Sequence, residues 1–269
     1  MQPAPQFLEA VAIAGVACRI ECPDAAFASL LAERFAGFHA TGAPELLLRV
    51  ELRAPDGPGL RRPGPFARLG GADGVLTIEG AGFHGSFDER RGEGVIVQPP
   101  DPSPLETFLT AIYAGRLLRA GGFFLHAAAL VGEDGARVFF GPSGSGKTTV
   151  AELVGEGVIS DETVALRPDG DGWRASAVPW RGTPLEAPVA GLFRLEKARA
   201  TAFRRLAPVE ALRQLLPSVL FSRADAGELD RFLDIAGSLA RGVPCWAMRF
   251  APDRGFWDAL DARARRSGP

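Results

Sequence analysis

The clearest pattern of apolar and polar segments lies in the second half of the chain. Residues 123–131 (FFLHAAALV) and 136–140 (ARVFF) are apolar runs of strand length, and the Gly/Asp-rich turn between them predicts a β-hairpin. Residues 148–154 (TTVAELV) have helical apolar spacing, which Gly155 ends. Residues 157–160 (GVIS) form a brief apolar run. The pattern predicts a hairpin, a helix and a short strand, in that order.

The first hundred residues predict a separate α+β lobe. Residues 99–104 (PPDPSP) are proline-rich, and an amphipathic helix is predicted at 105–119 with Ser103 as its cap. We therefore divide the chain into 1–104, the N-terminal lobe, and 105–269, the second domain. The other predicted elements are helices at 25–35, 208–216, 228–240 and 255–264, strands at 46–52, 74–78, 95–98 and 243–250, and a Pro/Gly/Arg-rich loop at 55–65.

The segment between the hairpin and the next helix reads GPSGSGKTT and has the spacing of a phosphate-binding loop. In such a loop consecutive backbone N–H groups converge on a nucleotide's phosphates, and glycines keep side chains out of the way. Lys147 is one of only two lysines in a chain that otherwise uses arginine, and a compact ammonium can reach between the β- and γ-phosphates. Thr148 offers a hydroxyl to Mg²⁺ at the start of the helix. The predicted nucleotide-binding residues of this glycine-rich loop (residues 141–149) are Gly141, Ser143, Gly144, Ser145, Gly146, Lys147, Thr148 and Thr149.

Two neighbouring acids, Asp161 and Glu162, follow the strand at 157–160. In phosphoryl transfer one carboxylate can hold Mg²⁺ and another can accept the proton of an attacking hydroxyl. We predict both acids as catalytic residues and, together with Thr148, as metal ligands. A solvated acidic turn is the alternative interpretation, and which acid would act as the base stays open.

The segments HAAALV, GPSGSGKTT and SDETVAL together resemble the HPr serine kinase/phosphorylase family and its shorter bacterial relatives. A hairpin that leads into the glycine-rich loop narrows the choice of family, because such loops usually follow strands that arrive through helical crossovers. The resemblance implies an α/β fold: a P-loop kinase core of the HPr kinase/phosphoenolpyruvate carboxykinase type, with a smaller N-terminal α+β lobe.

The same resemblance implies an active site made of His126, Lys147, Thr148, Asp161 and Glu162. A histidine inside an apolar strand is otherwise more often a packed core residue, so the predicted catalytic role of His126 depends on this resemblance. The family's second acid is aspartate, and Glu162 departs from it with a longer reach. The family's phosphorylase signature is not found here, and Thr149 stands where the bifunctional enzymes have an acid. Kinase activity is therefore implied without dephosphorylation.

Composition and charge exclude several other classes. A net charge of -2 and a pI near 6.0 give no electrostatic attraction to nucleic acid or anionic membranes. No apolar run approaches the ~20 residues that a membrane-spanning helix needs. The three cysteines lack paired metal-ligand spacing, so we expect reduced thiols and a cytoplasmic protein.

The sequence thus predicts an ATP- and Mg²⁺-dependent kinase that phosphorylates a hydroxyl, most simply a serine of a small protein or peptide. Two alternatives stay open: an ATP-binding regulator that transfers no phosphate, and a kinase of a small metabolite such as free serine. The N-terminal lobe could recognise the acceptor, support a homo-oligomer or cover the core, and its sequence does not choose among these roles.

Overall fold

The computed structural model describes residues 6–7, 10–53, 67–222 and 226–266, so the predicted 55–65 loop lies wholly outside the described residues. The fold is mixed α/β, with two sheets and six α-helices in the described residues. The chain divides into two compact units, Met1–Gly115 and Arg116–Pro269. None of the described helices is both long and apolar enough to cross a lipid bilayer.

The first unit is built around an eight-stranded sheet in the order β1-β3-β4-β8-β7-β6-β5, with β2 paired to β3. Parallel pairs join β3 to β4 and β4 to β8, and antiparallel pairs join the other strands. Its elements are β1 Gln6–Phe7, β2 Val11–Ile13, β3 Val16–Cys22, α1 Ala25–Arg34, β4 Leu46–Leu52, β5 Arg68–Ala72, β6 Val75–Gly80, β7 Phe83–Asp88, β8 Glu93–Gln98 and α2 Pro102–Arg119.

Helix α2 begins earlier than the sequence predicted, and Ser103 is not its cap. The Asp101 carboxylate accepts hydrogen bonds from the N–H of Ser103, at 2.9 Å, and from its hydroxyl. Pro102 suits the first helical position because that position needs no N–H donor. The hydroxyl of Tyr113, near the end of the helix, donates to the carbonyl of Val16 in β3. The boundary between the two units falls inside α2, between Gly115 and Arg116.

The second unit contains a nine-stranded sheet in the order β10-β9-β12-β13-β14-β17-β15, with β11 and β16 also paired to β9. Its elements are β9 Phe123–Gly132, β10 Gly135–Phe140, α3 Lys147–Val154, β11 Val158–Ser160, β12 Thr163–Asp169, β13 Gly172–Ala177, β14 Glu186–Lys197, β15 Ala202–Arg205, α4 Pro208–Leu215, a 3₁₀ turn Leu216–Ser218, β16 Val219–Leu220, α5 Ala226–Gly242, β17 Cys245–Phe250 and α6 Gly255–Arg266.

The predicted hairpin is formed by β9 and β10, and the predicted helix after it is α3. Sequence patterning missed several strands, among them β3, β7, β15 and the long strand β14. Its first residues pair with β13, and its later residues pair in parallel with β10 on one side and β17 on the other. Pro188 and Gly191 inside the strand weaken its strand signal, so long-range pairing decides its conformation.

Helices α3 and α6 contribute to a core against β9, β10, β14 and β17. This cluster of buried apolar side chains consists of Ala128, Leu130, Phe139, Val150, Val154, Phe193, Leu195, Met248, Phe250, Phe256 and Leu260. Strands β10, β14 and β17 run parallel, so their carboxyl ends meet at one edge of the sheet. The glycine-rich loop leaves β10 at that edge.

A buried arginine connects the β9–β10 hairpin to α6. Arg137 in β10 is only 1% exposed, and its guanidinium lies over the Trp257 ring, 4.6 Å from the centroid. Its Nη2 is 2.8 Å from a carboxylate oxygen of Asp134 and 2.6 Å from one of Asp261. The Asp261 contact lacks hydrogen-bond geometry in spite of its short distance, so we treat it as a charge–charge contact.

We expect Asp261→Asn to lower the free energy of unfolding by about 2 kcal/mol and Asp134→Asn by less than about 1 kcal/mol. The Asp261 side chain is 16% exposed and that of Asp134 is 37% exposed, so water screens the Asp134 contact more. Urea denaturation of the two variants measures the difference. Equal losses would contradict a dominant role for the Asp261 contact.

Candidate functional site

The glycine-rich loop is shaped by glycines near both of its ends. Gly141 has φ +147° and Gly146 has φ +111°, which side-chain-bearing residues rarely adopt. A Cβ at Gly141 would lie 3.2 Å from the carbonyl oxygen of Leu195, and one at Gly146 would lie 3.0 Å from the ring of Phe250. The loop therefore packs tightly against the carboxyl ends of β14 and β17.

The start of α3 leaves its first backbone amides without a side-chain cap. Gly146 is the N-cap, and no side chain accepts a hydrogen bond from the first turn. The N–H of Val150 donates to the carbonyl of Gly146 at 2.9 Å. The amides of Lys147, Thr148 and Thr149 precede this bond and carry the positive end of the helix dipole. Such amides suit a phosphate group.

Lys147 turns its ammonium back onto the loop. The side chain is buried, and Nζ donates to the carbonyl oxygens of Gly141 at 3.0 Å and Pro142 at 3.3 Å. Burial lowers the pKa of Lys147, and the negative charge of Glu162 partly opposes this shift. The ammonium of Lys147 is thus desolvated, and its partners in the loop are neutral carbonyls. No carboxylate neutralises it there, so it can attract a bound anion.

Ser160 holds together the turn that carries the two predicted acids, residues 160–163, here called the acid turn. Its side chain is 1% exposed, and Oγ accepts from the N–H groups of Glu162 at 3.2 Å and Thr163 at 3.1 Å. The same hydroxyl donates to the carbonyl of Arg181. Ser160 thereby fixes the backbone that presents Asp161 and Glu162. A serine two residues before an acid is the sequence signal that could have identified it.

The loop at 178–185 lies against β11 and reaches the acid turn. The N–H of Thr183 donates to the carbonyl of Ile159 at 3.0 Å. Gly182 permits this approach, because a Cβ there would lie 2.3 Å from the same carbonyl oxygen. Arg181 places Nε 3.1 Å from a carboxylate oxygen of Glu162. Both side chains are about half exposed, so this ion pair orients Glu162 more than it stabilises the fold.

His126 lies beside the acid turn on β9. It pairs with Thr163 across the sheet, and the next residue, Ala127, donates its N–H to the carbonyl of Glu162 at 3.1 Å. Burial lowers the pKa of His126, the positive charge of Lys147 lowers it further, and Glu162 opposes the shift. The imidazole is therefore neutral near pH 7 and can donate one hydrogen bond and accept another.

These elements surround one open pocket of about 400 Å³. It is lined by His126, Ser143, Gly144, Gly146, Lys147, Thr148, Thr149, Asp161, Glu162 and Lys197. Two predicted nucleotide-binding residues, Gly141 and Ser145, are not among its lining residues; Gly141 lies against β14, and Ser145 is buried inside the loop. Lys197 is the lining residue that sequence reasoning missed. Its signal was the scarcity of lysine, because Lys147 and Lys197 are the only two in the chain.

The donor groups in the pocket are compatible with Mg²⁺ and a triphosphate. Mg²⁺ prefers oxygen ligands and is usually held by one or two carboxylates together with substrate phosphates and water. Thr148, Asp161 and Glu162 supply a hydroxyl and two carboxylates. No cluster of three or more His, Cys, Asp or Glu side chains that could hold a metal is found among the described residues.

A scan against protein-family models finds no match for this chain, and no curated protein matches it.

We expect Ser160→Ala to lower the free energy of unfolding by about 1–3 kcal/mol, because two buried amides and one carbonyl lose a partner. Ser176→Ala is the matched control, because its buried Oγ has no hydrogen-bond partner and its removal should be neutral or stabilising. Chemical denaturation measures both variants. A neutral Ser160→Ala would show that its hydrogen bonds do not hold the acid turn.

The pKa of His126 makes a pH-dependent contribution to stability. Its folded pKa lies below the ordinary value of 6.5, so the unfolded chain binds the proton more readily. The contribution is complete above about pH 6.5 and is lost as the pH falls towards the folded pKa. We expect wild type to lose more stability between pH 7.5 and 5.5 than His126→Gln does, in urea denaturation. A His126→Gln variant that loses as much stability as wild type would contradict the assignment.

Proposed function

We propose that the protein is an ATP- and Mg²⁺-dependent kinase that transfers the γ-phosphoryl group to a hydroxyl, with the serine of a small protein or peptide as the favoured acceptor. The observation that carries this proposal is the pocket in which the glycine-rich loop faces His126, Asp161 and Glu162. A loop that suits phosphates and a pair of carboxylates are the two parts that phosphoryl transfer needs side by side.

The loop would bind the triphosphate. The amides at the start of α3 point their positive ends at its phosphates, and the ammonium of Lys147 exchanges the carbonyls of Gly141 and Pro142 for phosphate oxygens. Burial of Lys147 strengthens this attraction because little water screens it. Thr148 and one of the two acids would hold Mg²⁺, which when bound would offset charge on the phosphate oxygens.

The acid turn would orient the acceptor. A carboxylate that does not hold the metal accepts the proton of the attacking hydroxyl, and Asp161 and Glu162 are the acids that line the pocket. The ion pair with Arg181 orients Glu162, and no ion pair of the shorter Asp161 is found among the described residues. We therefore assign Asp161 as the acid nearer to the reaction and Glu162 as the acid whose position Arg181 sets. Neutral His126 would donate a hydrogen bond to a carboxylate or phosphate oxygen from β9.

Binding of ATP is the first test. Lys147→Ala should weaken ATP affinity by about 10- to 100-fold, because it removes charge-assisted hydrogen bonds to phosphate. Isothermal titration calorimetry of the full chain with ATP and Mg²⁺ measures the affinity. Unchanged binding in Lys147→Ala, or no binding in wild type, would overturn the nucleotide site.

Transfer of the γ-phosphoryl group to an acceptor is the second test. With γ-labelled ATP and an extract of the source organism as acceptor, the combined variant Asp161→Asn and Glu162→Gln should lose at least about 100-fold in rate. Asp171→Asn is the control, because Asp171 is an exposed acid in the turn at the other end of β12. Transfer that survives the combined change would contradict the roles of the acids. Tight ATP binding with no labelled product would favour the ATP-binding regulator, and a labelled small molecule would favour the metabolite kinase.

A further inference from the structure

The two lysines of the chain line the same pocket. Of its 30 lysine and arginine residues, only Lys147 and Lys197 are lysines, and they are 50 positions apart in sequence. We propose that Lys197 is a second phosphate-binding residue, whose ammonium contacts the phosphate oxygens of the bound nucleotide directly. This proposal rests on the proposed function, because it names a further residue of the same nucleotide site.

The position of Lys197 follows from the parallel strands. It is the last residue of β14, which pairs in parallel with β10, the strand that leads into the glycine-rich loop. Leu195, two residues earlier, places its carbonyl oxygen against Gly141. The sheet partner of Lys197 is Phe250, whose ring lies against Gly146. Leu195 and Phe250, which neighbour Lys197 along the strand and across the sheet, thus contact the loop at Gly141 and Gly146.

The backbone at this point is held in place. The N–H of Ala198 donates to the carbonyl of Phe250 at 3.0 Å, so the chain stays attached to β17 just past the end of β14. The side chain of Lys197 itself is exposed. A fixed Cα with a mobile four-carbon stem lets an ammonium reach phosphates without movement of the sheet.

The ammonium of Lys197 is not committed to another group. The side chain is exposed, and it forms no ion pair with any carboxylate in the described ranges. Its neighbour Glu196 is paired with Arg194, and Glu162 across the pocket is paired with Arg181. Glu196 and Glu162 therefore have arginine partners, and Asp161 of the same pocket forms no ion pair with Lys197 in the part of the chain that the structure describes.

The chemistry favours a phosphate as that ligand. A triphosphate carries several negative charges, and Lys147 is the other cationic side chain that lines the pocket. Lysine binds phosphate as a point charge and does not require the planar two-point geometry that suits arginine. A second ammonium would neutralise oxygens that Lys147 and the loop amides do not reach.

Calorimetry on variants provides one test. Lys197→Gln should weaken binding of ATP with Mg²⁺ by about tenfold, the loss expected for one charge-assisted contact. Arg199→Gln is the matched control, because Arg199 is an exposed cation two residues away that does not line the pocket. It should change affinity by less than about twofold. Equal weakening in the two variants would show a long-range charge effect and overturn the direct contact, as would unchanged affinity in Lys197→Gln.

Chemical labelling of the unaltered chain provides a second test, and it does not depend on a variant. An amine-reactive reagent can modify only Lys147, Lys197 and the N-terminus, and mass spectrometry separates these positions. ATP with Mg²⁺ should slow modification of Lys197 several-fold, inorganic tripolyphosphate should do the same, and adenosine should have no effect.

The two proposals fail in different ways. If calorimetry shows that wild type binds ATP while the labelling rate of Lys197 stays unchanged, Lys197 is not a phosphate ligand and the nucleotide site stands. Protection of Lys197 only when the phosphate acceptor is added would assign it to the acceptor and overturn the present proposal. If wild type binds no ATP, the proposed function itself fails.

Discussion

The parallel pairing of β10, β14 and β17 is the constraint on which the pocket depends. It brings three strand ends to one edge of the sheet, and the core formed with α3 and α6 keeps those ends in register. The glycine-rich loop can pack against β14 and β17 only because Gly141 and Gly146 lack side chains. Parallel strands that end together leave a crevice beyond their carboxyl ends, which is where α/β proteins commonly bind ligands.

The other wall of the pocket has a different origin. Strand β9 pairs with β12 through its earlier residues and with β10 through its later ones. His126 is the last residue of β9 that pairs with β12, and the pairing with β10 begins at the next residue. The acid turn begins immediately before β12, and the Ser160 hydroxyl holds its backbone. A long strand with two sets of partners therefore brings the histidine and the acids to the glycine-rich loop. The same arrangement recurs in β14, which changes partners from β13 to β10.

In the proposed kinase, the charged groups of the pocket would interact with the phosphates of the nucleotide, and they already affect one another. Lys147 is buried and loses part of its preference for the charged form, and the nearby charge of Glu162 restores some of it. His126 stays neutral because it is desolvated and because Lys147 is close. The charge of Glu162 raises the pKa of both Lys147 and His126, and the same carboxylate forms an ion pair with Arg181. The pKa values of Lys147 and His126 are therefore set first by burial and then by charges that are distant in sequence.

Local signals in the sequence determined the hairpin, the helix after it and the order of the residues at the pocket. These signals are apolar runs of strand length, a glycine-rich loop of fixed spacing and a helical apolar stripe. Each involves only residues that are close in sequence, so each can be recognised from the sequence alone. The sequence also indicated the acids and His126, the latter through resemblance. Tertiary structure alone decided the conformation of β14, the packing of Ser160 beneath the acid turn and the position of Lys197 beside Lys147. These features depend on pairings between segments that lie tens of residues apart. They are stabilised by burial and by strand register, and a local sequence pattern contains no information about either.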